Sequence, residues 1–312
     1  MPGLKNINSF FLLITVFACQ LTPTYAATTL QLKQVESNVY AIIGPLTNRN
    51  SDNLGNNATF GFVITSDGVV LIDSGGTYNG AAEIYALIKS VTDQPVKIVI
   101  NTGGQDHRWL GNGYFKKQGA RIIASTKAVE DQKARTQDQF ILLGNLVGDA
   151  GLANTEAVYA DETFDNNLNF TLGKTKFEVH HAGQAHTPGD SFVWLPQQRI
   201  VFSGDIVYVQ RMLSISPASN SKSWVTAFEA MAALNPRVVV PGHGHVTDLQ
   251  VAKAHTHDYL VFVRQAVADF MEAGRGIEDI GKLDQSSYSF LLNYETLKGR
   301  NAQRVYEELE WE

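Results

Sequence analysis

Twice along this chain a pair of strands joined by a tight turn gives way to a helix and a short apolar strand. That repeated order constrains the fold more than any other feature. In the first half, residues 60–64 and 69–72 flank Ser66-Asp67-Gly68, whose glycine supplies the positive φ of a hairpin turn. Residues 80–91 then carry helical spacing (Ala81, Ile84, Leu87, Ile88, Val91), and residues 96–100 read as a strand buried on both faces. In the second half, residues 163–181 form a hairpin turning at Leu172-Gly173-Lys174. Strands at 192–195 and 200–203 follow, then an amphipathic helix at 221–234 and a buried strand at 238–240. The spacing also predicts a strand pair over 30–44, a strand at 121–124, and helices at 108–118, 126–147, 249–274 and in the tail 285–310. Residues 45–58, rich in Asn, Gly and Ser, read as a mobile loop. No long linker intervenes, so the expected class is α/β, one domain built of two similar halves.

Composition narrows the chemistry. Apolar residues are 44% of the 312, enough for a large core, and charged residues 18%. The net charge of −6 argues against a nucleic-acid binder, which carries a basic face. The single cysteine, Cys19, excludes a disulfide framework and a Cys-rich zinc module, so any metal must be held by His, Asp or Glu.

The amino terminus reads as an export signal. Lys5 precedes an apolar run at residues 10–18 (FFLLITVFA), too short for a hydrocarbon core that needs about 20 residues. Thr24 and Ala26 place cleavage after Ala26, giving a signal peptide over 1–26 and a domain over 27–312 whose helical tail covers about 249–312. The alternative takes Val16-Phe17-Ala18-Cys19 as a lipobox with a lipid anchor at Cys19. The expected location is periplasmic or secreted, or tethered as a lipoprotein. No other run approaches membrane length.

Of eight histidines, His107, His186 and His243 each sit in a glycine-bearing loop beside a predicted strand, and Asp205 follows Gly204 in the same setting. Loops of this kind gather at one edge of layered α/β folds. Four such side chains arriving together suit Zn²⁺, with Fe and Mn as competitors.

Residues 68–75 (GVVLIDSG), 185–190 (AHTPGD), 201–205 (VFSGD) and 241–244 (PGHG) resemble the metallo-β-lactamase superfamily in order and spacing, over about residues 30–250. Within it the chain most resembles exported members that accompany periplasmic quinoprotein oxidation. The resemblance implies a four-layer αββα sandwich with a metal site between the sheet edges. It implies His186, Asp205 and His243 as metal ligands, Asp205 bridging, with Asp73 and Asp190 as aspartates beside the site.

The family's signature, Thr-His-x-His-x-Asp-His, is altered here to Thr102-Gly103-Gly104-Gln105-Asp106-His107-Arg108. Without gaps, Gly103 and Gln105 stand at the paired histidines, His107 at the aspartate and Arg108 at the last histidine. A one-residue slip restores Asp106-His107 as the Asp-His pair and leaves Thr102 or Gly103, with Gly104, at the paired positions. In both alignments the paired histidines are missing and His107 remains a ligand candidate. His107, Asp205 and His243 then make a site with open positions, as a catalytic metal needs. A bound water would have its pKa lowered toward ~7. Asp106 is the candidate general base, or a further ligand. His186 becomes a fourth ligand, a proton donor or an oxyanion-side donor. One well-occupied metal is expected, the second site weak or absent.

Gln105 offers at best a weak neutral oxygen. Arg108 either binds a substrate carboxylate or is a first-turn helix residue facing solvent or pairing with a nearby acid. His245 is a candidate either for orienting a ligand or for a plain loop role. His180 and His181 read as structural, Trp109, Tyr114 and Phe115 as core, and Trp224 with Phe228 as helix packing. His255 and His257, two apart on a helix, face different ways and are discounted as ligands. The expected function is an exported hydrolase using metal-bound hydroxide on a small ester, thioester, lactone or amide, β-lactams included. The alternative is a catalytically degenerate member that binds a ligand or partner. A nucleic-acid-processing role is disfavoured by acidic charge, export and the lack of room for an inserted domain. The tail's apolar residues Phe290, Leu291, Tyr294 and Leu297 cover either the chain's own sheet or a partner.

Overall fold

The computed structural model describes residues 29–312, so the predicted signal segment, Ala26 and Cys19 lie outside the described residues. Seven strands make the first sheet in sequential order: β1 (Gln31–Glu36), β2 (Val39–Ile43), β3 (Thr59–Thr65), β4 (Gly68–Ile72), β5 (Val96–Asn101), β6 (Arg121–Ser125) and β7 (Glu162–Phe164). Five make the second: β8 (Asn167–Leu172), β9 (Thr175–His180), β10 (Phe192–Leu195), β11 (Ile200–Phe202) and β12 (Val238–Val240), again in sequential order. In each sheet an antiparallel meander ends in parallel pairs, β4 with β5, β6 and β7 in the first and β11 with β12 in the second. Hairpins build the antiparallel pairs, whereas the parallel pairs need crossovers that lay helices on the outer faces.

Those helices are α1 (Tyr78–Lys89), α2 (Asp106–Trp109), α3 (Asn112–Lys117), α4 (Thr126–Leu152), α5 (Ser221–Ala232), α6 (Leu249–Ala252), α7 (Asp258–Glu272) and α8 (Tyr294–Leu309). Side chains alternate across a strand, and that period assigns the layers. In β4, Val70 and Ile72 point into the space between the sheets, toward Phe177, Val193 and Phe202, while Val69 and Leu71 point outward to Ile84 and Ile88 of α1. In β10, Val193 and Leu195 point inward, while Phe192 and Trp194 face Trp224 and Phe228 of α5 and Val263 of α7. Both sheets are covered on both faces, which gives the four-layer α/β sandwich.

Helix starts follow local chemistry. The Thr77 hydroxyl accepts from Gly80 N–H at 2.9 Å, and Ser125 accepts from Ala128 N–H at 3.0 Å, each satisfying a free donor of the first turn. The helix expected at 108–118 is broken at Leu110-Gly111 into α2 and α3, and α4 runs past its expected end to Leu152 with a kink at Gly148. The tail folds back on its own molecule: Leu291, Tyr294, Ala302 and Val305 are buried against the second sheet's helices, and Phe290 stays exposed.

The segment expected to be a mobile loop is instead packed. Its latter part is buried, and its asparagines bond its own backbone: Asn50 Oδ1 accepts from Asp52 and Asn53 N–H, and Asn53 Oδ1 from Asn50 and Gly55 N–H. Asn composition signals turns, and turns can be rigid. Phe202 lies in the layer between the sheets, 2% exposed. Phe202→Ala is expected to cost about 3–5 kcal/mol of stability through the cavity it leaves, measured by urea unfolding.

Candidate metal centre

The side chains singled out from sequence leave the carboxyl ends of the parallel strands, where α/β sheets place their sites. Asp73 follows β4, Thr102 to His107 follow β5, Asp205 follows β11, and His243 follows β12. Three donors converge. His107 Nε2 lies 3.1 Å from Asp205 Oδ2, and His243 Nε2 lies 3.2 Å from Asp205 Oδ1. One ligand atom from each of the three falls within 4.8 Å of the others, all three residues are buried, and the imidazoles stand edge to face at 5.1 Å.

His243 Nδ1–H donates to the Asn57 carbonyl at 2.9 Å, which fixes its tautomer. Burial holds the ring neutral, well below the usual histidine range. Its Nε2 lone pair therefore faces a carboxylate oxygen, acceptor against acceptor, and a cation between them turns that repulsion into two bonds. His107 Nδ1 is buried without a hydrogen-bond partner. Two imidazoles and a carboxylate are a donor set suited to Zn²⁺ or Fe. The residues present fit a metal ion.

Arg108 is neither on the surface nor free for substrate. Its side chain is fully buried and bonded to one of the three donors, Asp205. Nε and Nη2 donate to the two oxygens of Asp205 at 3.2 and 2.7 Å, Nη1 to Asp73 Oδ2 at 2.9 Å, and Nη2 also to the Gly242 carbonyl at 2.9 Å. A Cβ at Gly242 would stand 2.2 Å from the Gly204 carbonyl oxygen and 2.7 Å from Nη2, so the backbone and the guanidinium together require glycine. Burial works against the charge, but the carboxylates of Asp205 and Asp73 keep Arg108 protonated. Against its own burial, Asp205 is held ionised chiefly by Arg108 and then His107.

Asp106 does not serve as a free base. Its carboxylate is buried and paired with the Arg49 guanidinium. Despite burial, Arg49 and His107 hold it far below the usual carboxylate range. His186 lies outside the converging three. Its Nδ1–H donates to the Ser214 carbonyl at 3.0 Å, its ring meets Tyr208 and Trp224, and burial pushes its pKa down to about 4. Gln105 is half-buried before α2, and His245 is exposed, held only through its backbone N–H to Gln210. Trp109 and Phe115 are fully buried.

The missing histidine pair has a structural counterpart. A Cβ at Gly103 would strike Asp190 Oδ1, and one at Gly104 would strike Asp131. Helix α4 stitches the two glycines down: Gln132 Nε2 donates to the Gly103 carbonyl at 3.1 Å and Gln139 Nε2 to that of Gly104 at 2.8 Å. Burial, reinforced by Asp205, pushes the Asp190 carboxyl up to about 8.

Sequence reading missed Arg49, Asn57, Tyr208 and Arg211. Tyr208 stacks on the His243 ring at 4.6 Å. Arg211 is half-buried with Nε and Nη1 unpartnered, within electrostatic reach of Asp205, His243 and Arg49. Only Tyr208 and Arg211 carried a signal, their closeness in sequence to Asp205.

The profile of the metallo-beta-lactamase superfamily matches residues 55–243, and the chain belongs to that superfamily of metal-dependent hydrolases. It is similar to the metallo-beta-lactamase type 2 of Elizabethkingia meningoseptica, 29% identical over 203 residues, covering 64% of this chain and 73% of that protein. The type 2 enzyme of Bacillus sp. (strain 170) is 28% identical over 200 residues, covering 63% and 70%. Among solved structures, a metallo-beta-lactamase from Pontibacter korlensis superposes with a TM-score of 0.60 at 24% identity, over 74% of this chain and 99% of that one. DIM-1 metallo-beta-lactamase gives 0.57 at 18%, over 75% and 97%. These superpositions establish the shared fold.

Arg108→Ala strands two buried carboxylates and is expected to destabilise the protein by about 3–5 kcal/mol in chemical unfolding. Asp190, with its folded pKa raised, contributes stability below the unfolded value near 3.8 that is lost as pH rises toward about 8. The stability difference between wild type and Asp190→Asn should therefore move against the wild type by about 3 kcal/mol from pH 5 to pH 8, read from unfolding curves at each pH.

Proposed function

We propose that this protein is an exported hydrolase of a small ester, thioester, lactone or amide, β-lactams included, whose substrate carries an anionic group. The observation that carries this reading is the meeting of the His107 and His243 Nε2 atoms on one carboxylate, that of Asp205. Those three residues would hold the cation, zinc first, with Fe or Mn as alternatives. When bound, such an ion supplies Lewis acidity: it acidifies water and polarises a carbonyl oxygen.

The chain's own groups do the rest. The Asn57 carbonyl keeps the His243 proton on Nδ1 and its lone pair on Nε2. Arg108 orients both oxygens of Asp205 and brings a positive charge to the place where the gapless alignment sets the signature's last histidine. A second cation there would have to displace that charge, which supports one ion per chain. His186, with its proton on Nδ1 held by the Ser214 carbonyl, keeps its Nε2 free to accept a hydrogen bond. The Arg211 guanidinium, whose Nε and Nη1 are buried without a hydrogen-bond partner, suits a carboxylate on the substrate.

A second reading, ligand binding without turnover, is favoured by the absence of histidine from residues 102–105, where both alignments set the family's pair. Metal analysis of the purified holoprotein, with hydrolysis of a chromogenic cephalosporin and a thioester, separates the two. One metal equivalent per chain is expected, and His243→Ala should lower the rate about a hundredfold or more, losing several kcal/mol of charge stabilisation. Hydrolysis unaffected by His243→Ala would remove the metal-dependent hydrolase reading, and two tightly held equivalents would remove the one-ion reading.

A further inference from the structure

Helices α6 and α7 are joined by a π turn, Lys253–His257. Such turns are rare and recur at functional sites because the extra residue redirects side chains that regular helix geometry would point elsewhere. Two residues of this turn reach the same segment. Thr256, buried, donates its hydroxyl proton to the Tyr208 carbonyl at 2.6 Å and accepts from Tyr208 N–H at 3.0 Å. His255 Nδ1 accepts from Gln210 N–H at 3.1 Å. The clamped segment runs along His243: Val209 N–H donates to the His243 carbonyl at 3.0 Å, and the Tyr208 ring lies on the imidazole at 4.6 Å and 22°.

Asn57 and Asp205 meet the His243 ring at its edge, at Nδ1 and Nε2. The aromatic face pressed on the imidazole limits rotation of the ring about the line between those two atoms. One residue of α-helix turns a side chain by about 100°, so without the inserted residue Thr256 would not face Tyr208.

We infer that the π turn is a positioning device for His243: Thr256 and His255 clamp residues 208–210 so that the Tyr208 ring fixes the plane of the His243 imidazole. This rests on His107, Asp205 and His243 holding a cation. Thr256 and Tyr208 act through His243 and are positioning residues.

The test is zinc affinity of the full chain by competition with a chromophoric chelator, together with the visible spectrum of the Co²⁺-loaded protein. Thr256→Val and Tyr208→Leu should each weaken zinc binding about tenfold and alter the Co²⁺ bands, whereas Thr256→Ser, which keeps the hydroxyl, should stay within about twofold of wild type. If the Val variant does not fold, Tyr208→Leu and Thr256→Ser carry the comparison. Wild-type affinity and spectrum in Thr256→Val and Tyr208→Leu, alongside loss of zinc in His243→Ala, would overturn the inference and leave the metal centre standing. Wild-type protein that binds no zinc, or His243→Ala that binds it unchanged, would overturn the metal centre and the inference with it.

Discussion

The site stands on one buried cation, Arg108, wedged between Asp73 and Asp205. Two carboxylates so close, out of water, would repel each other and draw protons. The guanidinium fork satisfies both and fixes Asp205 edge-on, with further lone pairs left for the two imidazoles. It also ties the two sheets together, since Asp73 directly follows β4 of the first and Asp205 lies in the turn after β11 of the second. The same ion pairs therefore bear on stability and on ligand geometry. Neither can be altered without the other.

A second consequence concerns what lies where the family's paired histidines would stand. Gly103 and Gly104 are not empty space: Asp190, Asp131 and two glutamines of α4 close over them. Restoring a histidine at either glycine would need those groups to move. The loss is thus built into the packing of α4, and the chemistry is gathered on the His107, Asp205 and His243 side.

Around that side, order comes from segments without regular structure. The asparagine-rich loop lends the Asn57 carbonyl to His243, and residues 208–210, held from the π turn, cover the other face of the same ring. Arg49, from that loop, neutralises Asp106. Loops here act as rigid parts because their backbone groups are bonded, by their own side chains or by neighbours.

The layered α/β class, the two similar halves and the places of His107, Asp205 and His243 after their strands were legible in the amino-acid order, because strand period, turn glycines and loop position are local properties. Helix 108–118 was misjudged because the break at Leu110-Gly111 is set by packing around Ser74 and Gly75, not by propensity. The ion pair of Asp106 was not legible because its partner, Arg49, is 57 positions away in the chain. For Arg108, pairing with an acid was among the expectations, but which acids was not: its carboxylates stand 35 and 97 positions away, and only folding brings them within a hydrogen bond. Local patterning decided which residues reach the sheet edge. The choice of which become donors, which neutralise charge and which merely pack came from long-range electrostatics and burial, which exist only once the two sheets meet.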